Sequence, residues 1–187
     1  MRTGGADEEA QMRRMTIGVA AWSGLVLIIP GTALAAWVQV DHGHGPTAVH
    51  DAAYAQVQTQ VHAWARDGRT RVRLLVDGMP PNRTFGAHVH VSKCGADPLS
   101  SGGHYQHGDP TMPLAEREVW LDFTTDADGH GDGTTTIPWL IEPGSAGSVV
   151  VHASPTNPAT GAAGARLFCT DVPFGATAGP SAPDPAG

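Results

Sequence analysis

Charged residues are scarce in this sequence, and basic residues are concentrated nowhere in it. Charged residues make up 16% of the chain, and the formal net charge is −7. Arg69, Arg71 and Arg73 come closest to a basic cluster, but they alternate with other residues, as side chains on the solvated face of a β-strand do. A surface that binds nucleic acid is therefore not predicted.

The sequence also lacks repeats and helical heptads. Its 24 glycines and 15 prolines favour a turn-rich β protein over a helical one. Short apolar strands separated by turn signals such as Asp67-Gly68 predict an antiparallel sandwich or a Greek-key barrel. Two stretches without periodicity, residues 92–115 and 156–165, predict long loops, which are usually functional inside a compact domain.

No apolar run at the N-terminus clearly reaches the length of about 20 residues that a membrane-spanning helix needs. Arg13-Arg14 precede a shorter apolar stretch, residues 15–29, and small residues follow at 32–36. This pattern predicts a signal peptide over residues 1–36, with an uncleaved membrane anchor as the alternative. We expect the protein to lie outside the cytoplasm, either secreted or tethered to a membrane by this segment.

The rest of the chain divides into three predicted parts. Residues 37–52 carry three histidines among glycines and predict a flexible linker, which could bind metal weakly or serve as a polar spacer. Residues 53–174 are the predicted β-barrel, and residues 175–187 are a predicted disordered tail.

Only two cysteines occur, Cys94 and Cys169. In an exported protein such a pair predicts one disulfide. It would close a loop of about 75 residues, for which chain entropy gives a stabilisation of roughly 4 kcal/mol. Two buried free thiols are the alternative interpretation.

Four histidines stand in a pattern that suits a metal site. His88 and His90 are two residues apart, so on a strand they point to the same face while Val89 points into the core. His152 ends an apolar run, and His104 follows two glycines in a predicted loop. A set of imidazole ligands favours copper or zinc over magnesium or calcium.

These segments resemble the copper/zinc superoxide dismutase family, and they occur in the family's order. The resemblance covers residues 69–172 and implies an all-β fold, an immunoglobulin-like Greek-key β-barrel or sandwich with two long functional loops. It also implies copper on the outer wall of the barrel. The segments are Gly86-Ala87-His88-Val89-His90, Gly102-Gly103-His104, Val150-Val151-His152 and Gly164-Ala165-Arg166-Leu167-Phe168-Cys169.

The resemblance implies a role for each matched residue. Arg166 resembles the arginine that holds the superoxide anion, and His104 resembles the histidine that bridges copper and zinc and is the expected proton donor. Cys94 and Cys169 resemble the family's intramolecular disulfide. The residues that resemble the copper ligands are His88, His90, His104 and His152.

The zinc half of the family's site does not match. The only later histidine in the loop is His107, and Glu116 and Val119 stand where the last zinc ligands are expected. Zinc is therefore not expected, and the chain is most similar to the copper-only branch of the family. In that branch a glutamate bonds to the bridging histidine, a task that either Glu116 or Glu118 could perform here, with Glu118 preferred.

The predicted function is an exported copper-dependent superoxide dismutase that converts superoxide to oxygen and hydrogen peroxide. Because the net charge of −7 repels an anion, Arg166 is expected to decide its capture. Two alternatives remain: a non-enzymatic copper-binding or copper-delivery protein on the same fold, and a copper/zinc enzyme that uses His107. Superoxide is the predicted partner, and the sequence does not predict the oligomeric state.

Overall fold

A computed structural model of the chain describes residues 36–175. The predicted signal peptide or anchor lies outside these residues except for Ala36, and the predicted tail lies outside them except for Gly175. Among the described residues, no helix has the length and apolarity that crossing a membrane requires.

Strands and loops make up the described residues, with three short 3-10 turns at Ala52–Tyr54, Pro98–Ser101 and Leu114–Glu116. The strands are β1 (Val38–Gly45), β2 (Ala48–Val49), β3 (Gln58–Arg66), β4 (Arg69–Asp77), β5 (Thr84–Phe85), β6 (Ala87–His90), β7 (Phe123–Thr124), β8 (Gly131–Ile137), β9 (Ser148–His152) and β10 (Arg166–Asp171).

The strands form two four-stranded antiparallel sheets that enclose one core. Sheet A has the order β1-β3-β4-β8, and sheet B has the order β2-β10-β9-β6. A small third sheet pairs β5 with β7. Neighbours such as β4 and β8 are distant in sequence, as in a Greek key. The predicted all-β Greek-key sandwich is confirmed.

Alternation along the strands decides which side chains reach the core. Val61 in β3 and Val72 and Leu74 in β4 are at most 1% exposed and belong to one apolar cluster. Asp67 and Gly68 join these strands with φ angles of 49° and 74°, the two positive values that a type I′ hairpin turn needs. The hairpin predicted at this point therefore forms.

The prediction of a flexible linker at residues 37–52 is wrong. Residues 38–45 form β1, which pairs along its length with β3, and residues 48–49 form β2 against β10. The glycines that suggested flexibility instead permit close packing. A Cβ on Gly43 would lie 2.2 Å from the carbonyl oxygen of Asp171, so only glycine lets β1 approach this part of the sandwich.

Two long loops on sheet B carry the polar residues of interest. One connects β6 to β7 over residues 91–122, and the other connects β9 to β10 over residues 153–165. The disulfide between Cys94 and Cys169 joins the first loop to β10, with an S–S distance of 2.04 Å. The backbone N–H of Cys94 also donates to the Asp171 carboxylate at 2.7 Å, so the start of this loop is held at two points.

Candidate metal centre

The four histidines predicted to bind metal lie together on the outer face of sheet B. One potential ligand atom from each of them lies within 4.8 Å of the other three. His88 and His90 come from β6, His152 ends β9, and His104 reaches the group from the first long loop, where it pairs with His90 through an isolated β-bridge. We call these four residues the histidine cluster.

The alternation of side chains along β6 places His88 and His90 in this cluster. Val89 is fully buried in the apolar core, so His88 and His90 point to the opposite face of the strand. Both histidines are nevertheless 0% exposed, because the long loops cover that face. His152 is 4% exposed, and the side chain of His104 is 18% exposed. His104 is thus the member of the cluster that solvent reaches best.

Hydrogen bonds fix the tautomer of three of these rings. Nδ1–H of His90 donates to the carbonyl oxygen of Gly102 at 3.1 Å, and Nδ1–H of His152 donates to that of Gly164 at 3.2 Å. Nδ1–H of His104 donates to the Glu118 carboxylate at 2.9 Å. A neutral imidazole has one N–H, so Nε2 of each ring keeps a free lone pair.

His88 is held in the opposite tautomer. The hydroxyl of Thr156 donates to Asp122 at 2.6 Å and therefore accepts from Nε2–H of His88, also at 2.6 Å. Nδ1 of His88 is left buried without a hydrogen-bond partner. Such a nitrogen is costly unless something binds it, so its presence in the cluster fits a metal ion.

Burial keeps the rings of His88, His90 and His152 neutral. It lowers the pKa of His88 to about 2 and the pKa of His90 to about 3, with further lowering by the neighbouring histidines. Burial likewise lowers the pKa of His152 to about 4. These three rings therefore turn lone pairs rather than protons toward the centre of the cluster at neutral pH. The donor set suits copper or zinc.

Glu118, rather than Glu116, contacts the cluster. Glu116 is exposed at the end of a 3-10 turn, whereas Glu118 is buried and accepts from His104. Burial raises the pKa of Glu118, but hydrogen bonds from His104, Trp120 and Gln106 outweigh it and hold the pKa below its usual value. The carboxylate is therefore ionised beside the Nδ1–H of His104.

Several supporting residues were missed at the level of the sequence. Trp120 Nε1 and Gln106 Nε2 each donate to Glu118 at 2.7 Å. Both stand two residues from a site residue, Trp120 from Glu118 and Gln106 from His104. That spacing places them on the same face of an extended segment and could have identified them. Thr156 and Asp122 are far apart in sequence and give no such signal.

Arg166 is anchored beside the cluster at the start of β10. Its guanidinium donates to the carbonyl oxygens of Pro98 and Gly102, each at 2.7 Å, and to the hydroxyl of Ser101 at 2.8 Å. The Gly102 carbonyl also accepts from His90. One carbonyl thus joins the arginine to a histidine of the cluster and fixes a cation next to it.

Comparison with solved structures identifies the architecture. A double mutant of a superoxide-dismutase-like protein from Bacillus subtilis matches with a TM-score of 0.50 and 16% identity, over 73% of this chain and 97% of that chain. The chain has a superoxide-dismutase-like fold. The Cu/Zn superoxide dismutase from Brucella abortus is also similar, with a TM-score of 0.49, 21% identity and coverage of 72% and 97% of the two chains. No family model and no curated protein sequence matches the chain.

His107 does not join the histidine cluster of this superoxide-dismutase-like fold. Its ring stacks on Trp139 with centroids 4.7 Å apart and planes 6° from parallel. The group of potential ligands around His104 consists of the histidine cluster alone among the described residues. The alternative in which His107 serves as a ligand therefore finds no support in the geometry.

Proposed function

We propose that this protein is an exported, copper-dependent superoxide dismutase that works without zinc. The observation that carries the proposal is the combination of four converging imidazole lone pairs with a fixed guanidinium beside them. Copper bound by His88, His90, His104 and His152 would supply the one-electron redox chemistry that superoxide dismutation needs. A protein that only stores copper has no need of an anchored cation at the same place.

Arg166 would bind the substrate anion. Mobile surface charges 10 Å away count for little, because the Debye length at physiological ionic strength is about 8 Å. The net charge of −7 is spread over the chain, while the guanidinium is held next to His90 through the shared Gly102 carbonyl. Local attraction therefore decides whether superoxide reaches the site.

His104 would hold and deliver a proton at Nε2 whenever copper does not occupy that nitrogen. Glu118 keeps the other proton on Nδ1, so Nε2 is the atom of this ring whose protonation can change. With 18% of its side chain exposed, His104 can exchange that proton with solvent, which the three buried rings cannot do as easily. Glu118 would orient the ring throughout.

The absence of zinc is inferred from the same contact. A second metal next to copper would need Nδ1 of His104, but Glu118 accepts from that nitrogen and is itself held by Trp120 and Gln106. An intact network of this kind leaves no lone pair for zinc. The disulfide between Cys94 and Cys169 supports an oxidising location outside the cytoplasm.

The test combines metal analysis with a direct superoxide assay on the protein loaded with copper and zinc together. We expect one copper in the histidine cluster, no zinc bound there, and rapid loss of superoxide observed by pulse radiolysis. Copper without turnover would overturn the enzymatic proposal and leave a copper-binding or copper-delivery protein. Zinc that competes at His104 would overturn the zinc-free assignment.

A further inference from the structure

Three histidines gather on the outer face of sheet A, away from the histidine cluster. His42 and His44 lie two residues apart on β1, and His62 lies opposite His42 on β3. The ring centroids of His42 and His44 are 5.7 Å apart, and those of His44 and His62 are 6.4 Å apart. Because side chains alternate along a strand, all three rings point to the same side of the sheet.

Gly43 fixes this arrangement. It faces inward between the two histidines, where any Cβ would collide with the carbonyl oxygen of Asp171 at 2.2 Å. A slip of β1 by one residue would force a histidine into that space, so the register that exposes His42 and His44 is strongly specified. Val61 and Ala63 flank His62 on β3 and point the opposite way, into the core, where both are 0% exposed.

His62 supplies a nitrogen that needs a partner. Its ring stacks on Trp64 with centroids 5.6 Å apart, and its Nδ1 is buried without a hydrogen bond. The nearby Arg73 is neutralised by Asp132, which accepts from its guanidinium at 2.6 Å. The pKa of His62 is lowered by burial and by His44, His42 and Arg73, so its ring is neutral and able to bind a cation.

We propose that His42, His44 and His62 form a second, surface site for a transition-metal ion such as Cu(II). The two measured ring distances, 5.7 Å for His42–His44 and 6.4 Å for His44–His62, lie at or above the upper end of the range of 4.1 to 5.8 Å in the histidine cluster, so the rings must move closer together to hold an ion. His42 and His44 are exposed, so their rings have room to change rotamer and close on an ion. Ordering them costs conformational entropy, which makes the site weaker than the histidine cluster.

The two sites are structurally independent. Val61 and Val89 both face the core, so His62 on sheet A and His88 on sheet B point away from each other. Packed sheets lie about 10 Å apart, which is too far for one ion to reach ligands on both outer faces. The second site therefore does not rest on the proposed enzymatic function.

Calorimetric titration of the metal-free full chain with Cu(II) tests the proposal. We expect two equivalents of bound Cu(II), the weaker at least about 10-fold weaker in affinity because two exposed side chains must be ordered, and loss of only that equivalent in His42→Gln/His44→Gln. His62→Gln should weaken the same equivalent. The matched control is His130→Gln, an exposed histidine that contacts Asp77 and is not one of the three proposed ligands, and it should retain both equivalents.

Chemical labelling supplies a second readout. Diethylpyrocarbonate should modify His42 and His44 in the copper-free chain, and a second equivalent of Cu(II) should protect them. If the variant without His42 and His44 binds as many equivalents of Cu(II) as the wild-type chain, with the same affinities, the second site is refuted. His90→Gln/His152→Gln changes only the histidine cluster, so it should lose the tighter equivalent and keep the weaker one. The two sites are therefore tested by different variants, and either proposal can fail without the other.

Discussion

Replacing Glu118 with alanine should damage both copper binding and stability. The carboxylate accepts three hydrogen bonds, from His104 at 2.9 Å and from Trp120 and Gln106 at 2.7 Å each. Its side chain is 2% exposed, so the variant removes a buried acceptor, but the donors differ in exposure: Gln106 is exposed, whereas His104 and Trp120 are partly buried. A buried donor without an acceptor costs about 1–3 kcal/mol, and water entering beside His104 recovers part of this cost.

Because water can replace the carboxylate at Gln106, the cost comes mainly from His104 and Trp120. We therefore expect Glu118→Ala to lower the free energy of unfolding by about 2 kcal/mol, measured by urea denaturation of the copper-free protein. Copper affinity should fall by about 10- to 100-fold in a competition titration, because His104 loses the contact that sets its tautomer and orientation. The two measurements are separate, and both follow from the same three hydrogen bonds.

Two variants make this prediction specific. Glu118→Gln keeps an acceptor oxygen for His104 and Trp120, so its losses should be smaller than those of the alanine variant. Glu116→Ala removes an exposed acid two residues away and should change stability by less than about 0.5 kcal/mol. Glu118→Ala with wild-type copper affinity and stability would refute the role assigned to this carboxylate.

Three further predictions concern the anion site, the disulfide and acid stability. Arg166→Ala should bind copper but dismutate superoxide far more slowly than wild type, measured by pulse radiolysis at low ionic strength; an unchanged rate would remove this residue from anion capture. Cys94→Ser/Cys169→Ser should lose roughly 4 kcal/mol of unfolding free energy, and a loss below about 1 kcal/mol would contradict the loop-closure estimate. The pKa values of His88, His90 and His152 are lowered from 6.5 to about 2, 3 and 4, so the unfolded chain binds more protons than the folded chain below pH 6.5. The free energy of unfolding of the copper-free protein should therefore be highest above pH 6.5 and should fall as the pH falls from 6.5 towards 4. A free energy of unfolding that does not change over that range would refute the assignment of buried, neutral rings.

The sequence predicted best what depends on local periodicity. The spacing of His88 and His90 around Val89 placed both on one face of a strand, and the turn residues Asp67 and Gly68 placed a hairpin. Both signals act over two or three residues, where backbone geometry alone decides the outcome.

Contacts between distant segments were harder to predict. Gly43 suggested flexibility because its close approach to Asp171 cannot be seen along the chain, and so β1 was mistaken for a linker. Thr156 and Asp122 hold His88 from two separate loops for the same reason. The preference for Glu118 over Glu116 agreed with the structure, but only tertiary packing shows that one is buried and the other exposed.

The three hydrogen bonds of Arg166 to the first long loop have a consequence for specificity. A guanidinium carries five N–H donors, and three of them are used by Pro98, Ser101 and Gly102. Two donors remain on a group that is already immobile, so an anion would be captured with little further loss of side-chain entropy. A lysine offers only three donors and would spend all of them on the same anchors. The position is thus preorganised in a way that only arginine can satisfy, and charge alone would not preserve it.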